Sequence, residues 1–178
     1  MLSLHPPTFD DHEELHDFEH GNRTFFGRHI NARPAEYYAP GGVRAAIEAA
    51  LQDAAQDKAY QFLARDAAGR LVARVNLHRV RREHFHCAEL GYRVAESQGG
   101  KGYAGEAVRL VLLQAFGPLR LLRVEANSRP DNLASIAVLR RNGFAQYGRS
   151  SRSFELSGQW HDICHFERHA DAGAAQKS

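Results

Sequence analysis

"HCAELGYRVAESQGGKGYAGEAVRLVLLQAF", residues 86–116, contains the turn on which the fold depends. Ala88, Leu90, Tyr92 and Val94 alternate with Glu89, Gly91 and Arg93, the period of a strand. From Tyr103 the period changes. Ala104, Ala107, Val108, Val111, Leu112 and Ala115 recur at spacings suited to one helix face, and Gly117-Pro118 ends the run. Between strand and helix, Gly100, Gly102 and Gly105 spell G-x-G-x-x-G. Glycines allow positive φ and carry no side chain, so successive backbone N–H groups can converge on one anion. The helix that follows adds unpaired N–H groups and the positive end of its dipole, a setting for a pyrophosphate. Lys101, one of three lysines in the chain, sits inside this loop.

The loop alone leaves three readings open: a dinucleotide site, another phosphate-bearing cofactor, or a bare connector. A Walker A loop is excluded, because Lys101 is followed by Gly102 where that motif needs Ser or Thr. For the dinucleotide reading, Glu125 lies twenty residues beyond Gly105, where a ribose-binding acid belongs. Against it, "AESQG" separates Val94 from Gly100, whereas the dinucleotide turn is tight. The surrounding elements also disagree with a Rossmann domain.

Those elements are read outward from the loop. Residues 10–20, "DDHEELHDFEH", carry Leu15 and Phe18 on a narrow stripe and predict a helix; residues 41–56 repeat Val43, Ile47, Ala50, Leu51 and Ala54 on one face and predict another. Strands are predicted at 59–66 and 70–80 around the turn "DAAGR", at 87–94 and at 120–127. A short helix follows over 131–143, capped by Asp131 or Asn132 at its start and by Asn142-Gly143 at its end. Residues 144–168 form final strands around "SGQ". The order β-α-α-β-β-β-α-β-α-β-β, with three strands in succession, predicts an α/β (α+β) fold with a mixed, mostly antiparallel sheet flanked by helices.

Bulk properties narrow the class. The 178 residues, 43% hydrophobic and 25% charged, predict one domain over 1–168, with 169–178 as a flexible tail. A net charge of +2 does not mark a nucleic-acid binder. The N-terminus "MLSLHPPTFDDHEEL" lacks the pattern of a secretory signal, and no apolar run is long enough to span a bilayer. Cys87 and Cys164, the two cysteines, suit a reducing cytoplasm. Among 11 histidines, His12, His16 and His20 recur every four residues, and His84, His86, His161 and His165 fall in or beside strands. The spacing matches no zinc signature, and no metal is expected.

Together, "GYRVAESQGGKGYAGEAV", "RVEANSRPDNLASIAVLRRNGF" and the late turn "GQWHD" resemble the GCN5-related N-acetyltransferases, closest to their RimJ/RimL-like ribosomal-protein-alanine branch. The stretch "FEHGNRTFFGRHINARPAEYY" (18–38) looks like the same branch. The resemblance implies acetyl-CoA as cosubstrate and an amine as acceptor. It implies that the strand from Leu90 through Tyr92 and Arg93 to Val94 pairs with the pantetheine arm through its backbone. The loop Gly99, Gly100, Lys101, Gly102, Tyr103 and Ala104 takes the pyrophosphate, and Asn132 holds the arm, with Asn127 counted in the same site. Where the wider superfamily places a tyrosine acid, this chain has Leu139, which leaves the proton for the coenzyme thiolate to Ser135 or to solvent. Members are often homodimers.

Thioester aminolysis needs a neutral amine, a stabilised oxyanion and a proton for the departing sulfur. An α-amino group with a pKa of about 7.7–8.0 is roughly a tenth neutral at pH 7, while a lysine near 10.4 is neutral in only about a few molecules per ten thousand. A protein N-terminal α-amine therefore needs only a modest base. Glu89, on the strand beside the acyl site, is the candidate; the alternative is an ordinary strand carboxylate facing an arginine. The alternative for Ser135 is a first-turn serine bonding backbone. Phe25, Phe26, Tyr37 and Tyr38, with Pro34 and Pro40, read as an acceptor lid or as packing for the early helices. Acetylation of a small amine, such as a polyamine or antibiotic, and a catalytically silent acyl-CoA-binding module stand as the alternative functions.

Overall fold

The computed structural model describes residues 1–171. It is built on a seven-stranded sheet in the order β1-β2-β3-β4-β5-β7-β6. Its strands are β1 (Ser3–His5), β2 (Tyr60–Arg65), β3 (Leu71–Arg81), β4 (Cys87–Val94), β5 (Arg123–Ser128), β6 (Ala145–Leu156) and β7 (Gln159–His169). Only β4 and β5 run parallel; every other neighbouring pair is antiparallel. The fold is therefore the mixed α+β arrangement expected from three consecutive strands, and its one parallel junction lies at the centre.

Two layers of helices cover the sheet. On one side α5 (Tyr103–Phe116) and α6 (Leu133–Arg141) bury a core with Val75, Leu77, Leu90, Val108, Val111, Val124 and Phe166. The stripe read from the sequence, Ala107, Val108, Val111, Leu112 and Ala115, is the buried face of α5. On the other side lie α1 (His12–Gly21), α2 (Arg23–Phe26), α3 (Ala35–Tyr38) and α4 (Gly42–Ala55). They enclose a smaller core of Leu15, Phe18, Phe26, Tyr37, Val43 and Ile47 over Leu63.

Three local differences from the sequence reading have plain causes. β5 starts at Arg123, because Leu121 N–H turns back to donate to Ala115 O at 2.8 Å and Leu122 N–H donates to His86 O at 2.7 Å. The four-residue helices α2 and α3 fall within a segment too short to display a period. β7 continues through His169, and Ala170 N–H donates to Leu122 O at 2.9 Å, so the chain is held beyond the expected end of order at 168. The rest of the expected tail, 172–178, lies outside the described residues. No described helix is long and apolar enough to cross a membrane.

The turns follow their chemistry. Asp66 accepts from Ala68 N–H and Arg70 N–H at 2.9 and 3.1 Å, closing the β2–β3 hairpin. Ser157 and Gly158, at φ 51° and 76°, make the two-residue turn between β6 and β7.

Candidate active site

The site is opened by a parting of β4 from β5. Their pairing runs from Cys87↔Arg123 to Leu90↔Ala126 and stops there, although β4 continues to Val94 and β5 to Ser128. On its other edge β4 stays paired with β3 as far as Val94↔Ala73, and Ala95 N–H donates to Val72 O at 3.1 Å. Antiparallel backbones alternate in direction, so Arg93, Gly91 and Glu89 direct their backbone groups to β3. Those of Tyr92 and Val94 then face the gap left by β5. Backbone groups without a ladder partner are a template for a ligand that carries amides.

A groove of about 690 Å³ fills this gap. Its walls include Leu90, Tyr92, Arg93 and Val94 from β4, Gly99 and Ala104 from the glycine loop, Asn127 from β5, and Asn132 and Ser135 from α6. Gly100, Lys101, Gly102 and Tyr103 complete the loop between Gly99 and Ala104 and lie outside the lining. Gly100 and Gly102 hold φ of 74° and 80°, the left-handed values for which the loop needs glycine. Gly102 is the N-cap of α5, whose first backbone bond is from Glu106 N–H to Gly102 O at 3.1 Å. The N–H groups before Glu106 have no place in the helix ladder and stand at its positive end. Lys101 Nζ donates to Gln98 Oε1 at 2.9 Å, its ammonium on the exposed rim of the same loop.

On α6, the Asn132 side chain is the N-cap and accepts from Ser135 N–H at 3.2 Å. That settles the choice left between Asp131 and Asn132. Ser135 Oγ also lies 3.0 Å from the Tyr92 hydroxyl. Burial raises Tyr92 above the usual tyrosine value, with the Ser135 contact acting against it, so Tyr92 keeps its proton near neutrality.

Glu89 stands at the inner end of the groove, on the face of β4 opposite Leu90 and Tyr92. One oxygen accepts from Asn127 Nδ2 at 2.8 Å and the other from Arg79 Nη1 at 3.0 Å. His78, its cross-strand neighbour on β3, places Nε2 3.6 Å from Oε1. The His78 ring is the strongest influence on this carboxyl; with Asn127 and Arg79 it outweighs partial burial and holds Glu89 at about 2. A carboxylate so stabilised is a persistent anion and a weak proton acceptor. Asn127 Oδ1 in turn lies 2.7 Å from His165 Nδ1, and His165 Nε2 lies 2.6 Å from Ser150 Oγ. His78 and His165 both line the groove. Neither was selected as an acid–base residue from sequence, because only strand register brings His78 to Glu89 and His165 to Asn127.

The aromatic segment before α4 packs the early helices, and part of it also lines the groove. Phe26 and Tyr37 are buried in the smaller core, while Phe25 and Phe26 also line the groove. Asn31 Nδ2 donates to Glu155 O at 3.2 Å and Arg129 Nη1 to Arg28 O at 3.2 Å, tying residues 28–31 to β6 and to the β5–α6 connection. His16 and His20 stack at 5.6 Å with Tyr38 edge-on to both. Among the described residues, no three His, Cys, Asp or Glu side chains converge as metal ligands would.

A sheet that parts beside a glycine-capped helix, with a charged pocket at the point of parting, defines an acyl-coenzyme A transferase of the N-acetyltransferase type. The family comparison agrees: the profile of the acetyltransferase (GNAT) domain matches residues 1–145. A probable N-acetyltransferase of Bacillus subtilis, YjcK, is 34% identical over 162 residues, covering 90% of each chain. The [ribosomal protein uS5]-alanine N-acetyltransferase of Escherichia coli is 28% identical over 149 residues, 83% of this chain and 77% of that one. The crystal structure of a ribosomal-protein-S5-alanine acetyltransferase from Vibrio fischeri superposes with a TM-score of 0.91 at 21% identity, covering 96% of this chain and 94% of that one. The chain belongs to the GCN5-related N-acetyltransferase family, whose members are acetyl-CoA-dependent acyltransferases.

Proposed function

We propose that this protein transfers the acetyl group of acetyl-CoA to a protein N-terminal α-amine, of the ribosomal-protein-alanine type. The observation that carries this reading is the unpaired edge of β4 at Tyr92 and Val94, continuous with a glycine loop at a helix N-terminus. The pantetheine amides extend the β4 ladder, and the loop Gly99–Ala104 receives the pyrophosphate through backbone N–H groups. Charge-assisted hydrogen bonds of this kind contribute about 1.5–3 kcal/mol each. Asn132, whose Oδ1 caps α6 and which lines the groove, hydrogen-bonds the arm through its amide N–H groups.

The acceptor nitrogen approaches from the Glu89 side and attacks the thioester carbonyl carbon. A free N–H of β4 stabilises the oxyanion. Collapse breaks the C–S bond, and Ser135 Oγ passes a proton to the departing thiolate and recovers it from water in the groove, while the Tyr92 hydroxyl, which keeps its own proton, holds the serine in place. The proton of the attacking amine leaves through water. Glu89 supplies a fixed negative charge that draws the incoming ammonium and the developing N–H⁺ toward His78. An imidazole is the side chain suited to exchanging a proton near neutrality.

The similarity to the uS5-alanine enzyme and the readier deprotonation of an α-amine favour a protein N-terminus over a polyamine. Intact-mass analysis of N-terminal ribosomal-protein peptides, spermidine and aminoglycosides incubated with acetyl-CoA tests the choice. A +42 Da adduct confined to the peptide α-amine supports it; modification of the small amines alone refutes it.

A further inference from the structure

Beside the groove, and sharing Phe26, Ile30 and Arg93 with it, lies a second cavity of about 480 Å³ under α1, α2 and α3. Its lining holds Arg23, Arg33 and Arg93 and a single carboxylate, Glu19. Glu19 is fully buried, and both of its oxygens are already engaged. Oε1 accepts from Arg33 Nη2 at 2.8 Å and from Arg74 Nη1 at 2.7 Å, and Oε2 accepts from Arg93 Nη1 at 2.6 Å. Three guanidinium groups thus share one negative charge; Glu19 is fully buried and Arg74 nearly so, while Arg33 and Arg93 are partly exposed and line the cavity. Arg33 Nε is buried with no hydrogen-bond partner, as is the Tyr37 hydroxyl beneath the Arg33 guanidinium. Burial pulls Arg93 below its ordinary value; Glu19 offsets part of this, and the charge of Arg33 adds to it.

A partly buried cluster with two positive charges in excess of its one carboxylate is a setting that an anion would complete. We infer that this cavity is an acceptor subsite for a carboxylate, held by the unused donors of Arg33 and Arg93. Guanidinium forks match the planar carboxylate in spacing and direction. Arg93 lies on the same face of β4 as Glu89 and Gly91. Strand rise puts it about 7 Å beyond Gly91 and about 13 Å beyond Glu89. An extended peptide advances about 3.3–3.6 Å per residue. With its α-amine at the thioester, the acid therefore belongs at the second, third or fourth residue. The inference rests on the α-amine reading of the active site and deepens it: the acceptor is a protein N-terminus carrying Asp or Glu close behind the reacting amine.

The test is calorimetric binding of Ala-initiated peptides to the protein loaded with coenzyme A, with Glu or Gln at residue two, three or four. Acetyl transfer to the same peptides is followed separately by mass. At one of the three positions the Glu peptide should bind about tenfold or more tightly than its Gln twin. Arg33→Gln should reduce that preference to within about twofold, and Arg33→Lys, which keeps the charge but not the fork, should retain part of it. Retained coenzyme A affinity in both variants shows that they are folded. Equal binding of Glu and Gln peptides at all three positions, or a preference unchanged in Arg33→Gln, overturns the subsite. A Glu preference without acetylation leaves the subsite standing and refutes the α-amine reading. Failure of every peptide to bind overturns both.

Discussion

The two faces of β4 differ in what they are built from. Leu90, Tyr92 and Val94 pack against α5 and α6, and the cofactor side of the site relies on backbone N–H groups, glycine φ angles and one helix end. Glu89, Gly91 and Arg93 face the other way, into side chains: His78, Arg79 and Asn127 around Glu89, then Arg33, Arg74 and Glu19 around Arg93. One face presents main-chain groups, which any sequence of suitable shape can supply. The other presents charge placed residue by residue. The contrast suits a family that keeps one cosubstrate and varies its acceptor.

If the faces are separable, damage to one should spare the other. The largest effect is expected from Glu89→Gln, which removes the fixed charge: kcat should fall about a hundredfold while coenzyme A affinity stays within about twofold. Because Glu89 is held at about 2, it remains ionised through neutrality, so the loss in this variant should persist across the whole neutral range. The same depression stabilises the fold above the ordinary carboxylate value of 4.5, and that contribution is lost as pH falls toward 2. Acid unfolding curves of Glu89→Gln should lack this component. A loss of coenzyme affinity in Glu89→Gln would break the comparison.

Next in size is Gly102→Val. A β-branched residue at a φ of 80° strains the loop and misdirects the amides at the start of α5. Coenzyme A affinity by calorimetry should fall about tenfold to thirtyfold, with the preference among acceptors unchanged. His78→Gln should cost about tenfold in kcat/KM at neutral pH, with coenzyme A affinity kept within about twofold. Ser135→Ala should have the smallest effect, about threefold to tenfold in kcat, because water can protonate a thiolate in its place; a larger loss would give Ser135 more of the chemistry than the acid role assigned here.

The same division governs what could be read without a structure. β4, α5 and the glycine loop announce themselves through period changes within thirty-one residues, and a cap at Asp131 or Asn132 follows from their place before an apolar run, with the choice of Asn132 made only by the structure. Backbone recognition is local, so its parts are contiguous in the chain. The acceptor side is assembled from residues far apart. His78 meets Glu89 only through the β3–β4 register, and His165 meets Asn127 only through the β5–β7 register. Arg33 and Glu19 reach Arg93 across more than fifty residues and a layer of helices. Strand pairing is invisible to a period-two pattern, since every register preserves it up to a shift of two. The resemblance implies that Leu90 to Val94 pairs with the pantetheine arm, but the parting of β4 from β5 after Leu90, which frees that edge, is a property of the pairing.

The central claim, that coenzyme A completes the open edge of β4 and the loop beside it, is tested most directly by amide hydrogen exchange with and without the coenzyme. Protection should rise at Tyr92, Val94 and residues 99–105, and stay unchanged at Ala88 and Leu90, which β5 already pairs. Coenzyme binding that leaves Tyr92, Val94 and the loop exchanging as in the free protein would contradict it.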